Sequence, residues 1–151
     1  RSKDFLVRIW IKNDMKSNDS FISSNEDDIE NKRIKLTIPN SKKDLVINKS
    51  FILNYNFENI NAVSFKKGCF IGQENTARQK YRGTQKFLLK TIKIISGPIP
   101  KNEENIFLGK KKIGTMKSRI KNFSLCLMRN EPQILEYKKI QTDDGMLFEI
   151  I

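Results

Sequence analysis

The second half of the chain alternates between apolar and polar positions, and this period of two predicts strands. In one of them, Leu125 and Leu127 would share one face, with Cys126 and Met128 on the other. Turn sequences rich in Gly, Pro and Asp separate the alternating segments. The predicted strands span 87–95, 105–108, 112–117, 123–129, 133–140 and 146–151, with turns at 97–98, 109–111 and 142–145. Six short strands with regular turns predict a small antiparallel β-barrel over 85–151.

The beginning of the chain predicts a strand, a loop and a helix. Alternation favours a strand at 5–11, and a polar stretch at 13–25 is typical of a loop. Asp27 or Asp28 is predicted to cap a short helix that runs to about Thr37, because the acidic start and the basic residues that follow suit the helix dipole and Pro39 stops the helix. With the strands of the second half, this helix predicts an α+β fold.

The middle of the chain is less regular. Residues 41–61 predict irregular structure with one turn of helix near 57–60, and residues 62–65 predict a short buried strand. Three aromatic residues of this region are predicted to pack in the core, namely Phe51, Phe57 and Phe65.

A cysteine follows directly after that short strand. Cys69 stands between Gly68 and Gly72, with Lys66 and Lys67 before it. Backbone donors at a strand-to-helix junction and nearby cations stabilise a thiolate, so Cys69 is a candidate reactive group. Two glycines also let a ligand or a partner backbone come close. The alternative interpretation is a small buried residue, the usual environment of a free cysteine.

A helix predicted over 72–80 carries further polar candidates. Glu74 and Arg78 are spaced for pairing at i,i+4, and Gly83 is a natural end of the helix. In a pocket, Gln73 and Glu74 would supply a donor and an acceptor for the edge of a heterocycle, and Arg78 would meet an anion. On a solvated surface the same residues need no ligand, and this alternative stays open.

Composition narrows the function classes. The 151 residues are 38% apolar and 30% charged, with 29 Lys and Arg against 17 Asp and Glu, for a net charge of +12. That charge leaves binding of nucleic acid open. No run approaches the ~20 apolar residues of a membrane span, so we expect no membrane association. Because no Met begins the sequence, we expect a fragment or a processed product.

The cysteines and the absence of histidine bear on redox and metal chemistry. Cys69 and Cys126 are the two cysteines, they lie far apart, and the chain has no histidine. We therefore expect a reducing compartment, no disulfide, and no metal site built by this chain alone. Cys126, in an alternating strand, is expected to pack in the core.

Eight consecutive residues carry a family resemblance. The run Lys67-Gly68-Cys69-Phe70-Ile71-Gly72-Gln73-Glu74 resembles the Lys-Gly-Cys-aromatic-x-Gly-Gln-Glu signature of YgfZ-type folate-binding proteins, with Arg78 and Gly83 following as in the family. These proteins are relatives of the glycine-cleavage T-protein, an aminomethyltransferase. The resemblance implies that 1–84 is the remnant of a folate-binding lobe, that 85–151 is the C-terminal barrel domain, and that the N-terminal half of the protein is missing.

The resemblance also implies a function. It favours an accessory protein over an enzyme, without deciding between them, and this protein would support assembly or repair of iron–sulfur enzymes and tRNA modification in the cytoplasm or the mitochondrial matrix. The implied cofactor is tetrahydrofolate or a related reduced folate. The implied partners are iron–sulfur client enzymes and the missing N-terminal half. Cys69 would be the reactive group, and the ligand or partner surface would include Lys67, Gly68, Gly72, Gln73, Glu74 and Arg78.

Two alternatives remain. The first is a tetrahydrofolate-dependent aminomethyltransferase, which is disfavoured because Asn54 stands where that branch carries a carboxylate and because that branch lacks the Lys-Gly-Cys signature. The second is a basic tRNA-binding module, which the charge alone favours.

Overall fold

The computed structural model describes residues 25–83 and 85–151. The strand predicted at 5–11 and nearly all of the loop predicted at 13–25 therefore lie outside the described residues.

The described residues form an α+β structure, as predicted, around one antiparallel sheet. The strands are β1 (Phe87–Ser96), β2 (Asn105–Leu108), β3 (Lys111–Ile120), β4 (Phe123–Arg129), β5 (Lys139–Gln141) and β6 (Leu147–Ile150). The helices are α1 (Glu26–Lys35), α2 (Ser41–Asp44), α3 (Glu74–Arg82) and α4 (Pro132–Leu135), with a 3₁₀ turn at Ile52–Tyr55. The predicted strand at 123–129 and the hairpin turn at 142–145, where Gly145 has φ +88°, are confirmed.

The sheet is curled but does not close, so the predicted barrel is corrected to an open sheet. Its order is β2-β3-β4-β1-β6-β5, which leaves β2 and β5 at the two edges. Irregularities in three of the pairings bend the strands, as β-bulges do. Closure would require β2 to pair with β5, and these edge strands are only 4 and 3 residues long.

Each face of the sheet carries an apolar cluster. On one face, Ile92 packs with Cys126, Met128 and Phe148, all fully buried. The alternate residues of β1 and β4, Leu89 and Leu125 among them, form the other cluster with α1 and the 3₁₀ turn. Cys126 is therefore core, as its alternating strand predicted, and burial raises the pKa of its thiol to about 12.

Helix α1 begins two or three residues earlier than predicted. Its N-cap is Asn25, whose side-chain oxygen accepts a hydrogen bond from the Asp28 amide at 2.7 Å, so neither Asp27 nor Asp28 is the cap. Asp27 and Asp28 instead occupy the first turn, where acidic side chains favour the helix dipole. Ile34 of α1 is fully buried against the sheet.

Two predicted strands are wrong. Residues 62–65 form bends rather than a strand, with Ala62 and Ser64 exposed. The segment at 133–140 is split between α4 and β5. Proline is favoured at the first position of a helix, because its fixed φ suits the helix and an amide hydrogen there would have no helical partner, so Pro132 starts α4. Of the three aromatics predicted in the core, Phe57 packs against the second cluster, Phe65 is half-buried, and Phe51 is 56% exposed.

Candidate functional site

The signature segment, which we define as residues 65–83, is an exposed loop followed by α3. Cys69 lies in the loop and is exposed, as are Lys67, Gly68 and Gly72. Helix α3 begins at Glu74, so Cys69 does not lie at the first turn of the helix. The expected strand-to-helix junction at the thiol is therefore absent, and a helix terminus gives no support to a thiolate there.

The backbone favours glycine at one of the two glycine positions of the loop, and packing does not demand it at the other. Gly72 has φ +91°, a conformation that favours glycine, so its presence follows from the backbone alone. At Gly68 an added Cβ would meet no atom within 4 Å, so packing within the described residues does not demand glycine there. The open space at Gly68 lies directly beside Cys69.

One side of α3 holds the signature segment on the rest of the fold. The Gln79 amide donates to the Asn54 side-chain oxygen at 2.8 Å, and the Lys80 ammonium bonds the Glu58 carboxylate at 2.7 Å. Within the segment itself, the Tyr81 ring packs edge to face on the Phe65 ring, with centroids 5.9 Å apart. No residue of α3 is buried, so the attachment is polar and peripheral.

The signature segment also exposes large apolar side chains to solvent. Ile71 is fully exposed, Tyr81 is 70% exposed and Phe70 is 56% exposed. The Lys67 ammonium lies 5.7 Å from the Phe70 ring centroid, within the range of a cation–π contact. Exposed apolar side chains among lysines and arginines are typical of a surface that another protein element covers.

A shallow groove of about 350 Å³ runs along α3. It is lined by Glu74, Ala77, Arg78, Tyr81 and Arg82. The structure thus brings Glu74 and Arg78 together, but it leaves Lys67, Gly68, Cys69 and Gly72 outside the groove lining, in the preceding loop. The ion pair predicted between Glu74 and Arg78 is not among those formed by the described residues, and Gln73 caps α3 without a side-chain bond.

A buried polar network was missed by the sequence analysis. The fully buried Asp44 accepts from the Arg33 guanidinium at 3.0 Å and from the backbone amides of Asn40 and Ser118, each at 2.7 Å. Arg33 also bonds both carboxylate oxygens of Glu30. These bonds from Arg33, with a further one from Lys43, lower the pKa of Glu30 to about 2 against the opposing effect of burial.

A sequence signal for part of this network existed. Asn40 caps α2 through its side chain, and Asp44, four residues later, reaches back to the Asn40 amide. This reciprocal arrangement resembles a capping box. The bond to Ser118, which is 74 residues from Asp44, had no local signal.

The part of the chain that the structure describes contains no cluster of three or more His, Cys, Asp or Glu side chains placed to hold a metal ion. Within the same residues, no helix has both the length and the apolar character to cross a bilayer.

Comparison with known proteins gives partial matches. No family model matches the chain. It is 34% identical over 70 residues to the mitochondrial iron–sulfur cluster assembly factor IBA57 homolog of Neurospora crassa (46% of this chain, 16% of that protein). It is 37% identical over 84 residues to the tRNA-modifying protein YgfZ of Buchnera aphidicola subsp. Baizongia pistaciae (55% and 24%), and 49% identical over 45 residues to that of Aliivibrio fischeri strain MJ11 (30% and 14%). The matched segments span less than a quarter of each relative.

Proposed function

We propose that this chain is the C-terminal half of a YgfZ-type accessory protein that supports iron–sulfur enzymes and tRNA modification. The observation that carries the proposal is the exposed thiol of Cys69 within the Lys-Gly-Cys signature. The printed names of the similar proteins, an iron–sulfur cluster assembly factor and a tRNA-modifying protein, support it. In this proposal 1–84 is the remnant of a folate-binding lobe and 85–151 is the C-terminal domain.

Cys69 is the reactive group of the proposed site. Its exposure gives a partner or a ligand direct access to the sulfur. The open space at Gly68 admits a second backbone or a ring beside the thiol, and Lys67 adds positive charge to the same loop. Since these features face solvent, the thiol acts on something that arrives from outside the chain.

The proposed ligand of the intact protein is tetrahydrofolate or a related reduced folate. The donors and acceptors of Gln73 and Glu74 suit the edge of a pterin ring, and Arg78 suits the negative glutamyl end of a folate. The groove beside these residues is open and shallow, whereas ligand pockets bury most of a ligand of this size. The proposal therefore requires that a second wall come from the remainder of the longer protein.

The residue at position 54 disfavours the aminomethyltransferase alternative. Asn54 occupies the position at which that branch carries a carboxylate, and its side-chain oxygen already accepts a hydrogen bond from Gln79. The iron–sulfur client enzymes and the rest of the protein remain the proposed partners, in the cytoplasm or the mitochondrial matrix.

Genetic complementation tests the role of the thiol. In cells that lack the gene, the full-length protein with Cys69→Ala or Lys67→Ala should restore little activity of [4Fe–4S] enzymes. Lys110→Ala is the matched control, because Lys110 is equally exposed and lies in the β2–β3 turn. Full rescue by Cys69→Ala would remove the basis of the proposal.

Calorimetry tests the folate assignment separately. The full-length protein should bind a reduced folate, and the chain of 151 residues should bind it weakly or not at all, because one wall of the groove is open. Tight binding by this chain alone would mean that the pocket is complete elsewhere in it.

A further inference from the structure

A second cleft, built by residues from 30–43 and 100–119, has the features of an anion site. It has a volume of about 300 Å³ and lies between α1, α2, the β1–β2 loop and β3. Its lining includes four cationic side chains, Lys43, Lys101, Lys117 and Arg119. None of the signature residues lines it, so the proposed function leaves it unexplained.

The walls of this cleft are fixed by contacts that use two of the four cations. The Lys117 ammonium is almost fully buried, bonds the Glu103 carboxylate at 2.6 Å and 2.8 Å, and lies 5.6 Å from the Tyr55 ring centroid. Lys43 pairs with Glu30 at 3.1 Å. The Asn102 side chain ties the β1–β2 loop to α2 by donating to the Lys43 carbonyl at 3.2 Å. The cleft is therefore preorganised.

The other two cations are free to bind a ligand. Lys101 and Arg119 are exposed, and neither takes part in the ion pairs formed by the residues that the structure describes. The Arg119 guanidinium makes one long hydrogen bond, to the Lys121 carbonyl at 3.4 Å. After the internal pairs are counted, the cleft keeps two positive charges that face solvent.

We propose that this cleft binds phosphate groups of an RNA backbone. Arg and Lys side chains are the usual ligands of phosphate oxygens, and two unpaired cations match two singly charged phosphodiesters. Two further exposed cations lie on neighbouring elements: Lys121 in the β3–β4 turn, whose carbonyl accepts from the Arg119 guanidinium, and Lys35 of α1, whose ammonium lies 4.7 Å from the Phe123 ring at the start of β4. Separate cations carried by several elements suit a chain of phosphates better than they suit one compact anion.

The lining also argues against a free nucleotide. It contains no aromatic ring on which a base would stack. The partner is therefore recognised through its backbone and not through its bases, so the affinity should depend strongly on salt and little on sequence.

Fluorescence anisotropy with a labelled tRNA transcript tests the proposal on the full chain. The variant Lys101→Ala/Arg119→Ala should bind about tenfold more weakly at 50 mM salt, and the slope of log affinity against log salt should fall by about 1.4 to 1.8, or 0.7 to 0.9 per phosphate. The matched control, Lys110→Ala/Lys138→Ala, removes the same charge from exposed sites outside the cleft. It should change the affinity less than twofold.

A conservative variant and a competitor complete the design. Lys101→Arg/Arg119→Lys keeps both charges and should retain binding, which separates the ligand contact from any effect on folding. Inorganic phosphate should compete only at concentrations that act as ordinary salt. Equal losses in the cleft variant and its control, unchanged binding by the cleft variant, or displacement of RNA by micromolar phosphate would each overturn the proposal.

Discussion

Replacing Asp44 by Asn removes a buried negative charge with almost no change in side-chain shape. The carboxylate is fully buried and accepts three hydrogen bonds, from the Arg33 guanidinium and the amides of Asn40 and Ser118. An amide has one acceptor oxygen, so its NH₂ group must face at least one of these donors. Among the described residues, Arg33 then keeps Glu30 as its only carboxylate partner.

The expected loss follows from these contacts. Breaking a buried ion pair by removing one partner costs about 3–5 kcal/mol, and we expect the lower end, about 3 kcal/mol, because Glu30 still compensates Arg33. Urea unfolding followed by circular dichroism has a slope of about 1–3 kcal/mol per molar, so the midpoint should fall by about 1–3 M. The control, Glu58→Gln, removes a surface pair with Lys80 and should cost no more than about 1 kcal/mol. A midpoint shift for Asp44→Asn no larger than that of the control would refute the reasoning.

Three other outcomes are expected. Iodoacetamide at neutral pH should label Cys69 and leave Cys126 unmodified until the chain unfolds, because burial raises the pKa of the Cys126 thiol to about 12; mass spectrometry of the native protein decides this. Gly114→Ala should lower the free energy of unfolding by about 1–3 kcal/mol, since its Cβ would lie 2.8 Å from the Cys126 sulfur, whereas Gly68→Ala should be neutral in the same urea titration. Hydrogen bonds from a guanidinium lower the pKa of Glu30 from 4.5 to about 2, so the stability advantage over Glu30→Gln should be complete above pH 4.5 and vanish as the pH falls to 2.

The sheet was the most predictable part of the fold. The strand at 123–129 was placed correctly because alternation and the turns on either side are both local signals. The sequence did not show whether the sheet closes, since apolar and polar positions alternate with a period of two residues both in an open sheet and in a barrel. The strand predicted at 62–65 failed because a four-residue apolar run carries too little information to separate a strand from a half-buried bend.

The candidate site was predictable in part. The exposure of Cys69 agrees with one of the two interpretations of its glycine-rich setting. The separation of Cys69 from the first turn of α3 depends on the left-handed turn at Gly72. The sequence did not show whether the helix would begin before or after this glycine. The cleft that contains Lys101 and Arg119 was not predicted, because it joins segments far apart in the sequence.

The peripheral attachment of α3 has a consequence for local opening. Amides of β1 and β4 lie in a sheet that is packed on both faces, and their exchange with solvent deuterium should require unfolding of the whole sheet. Helix α3 has no buried side chain, so its amides should exchange through a separate opening of much lower free energy. The signature segment can then change its position while the sheet stays intact, and a partner that docks on it would be detected first as slower deuterium uptake between 74 and 82.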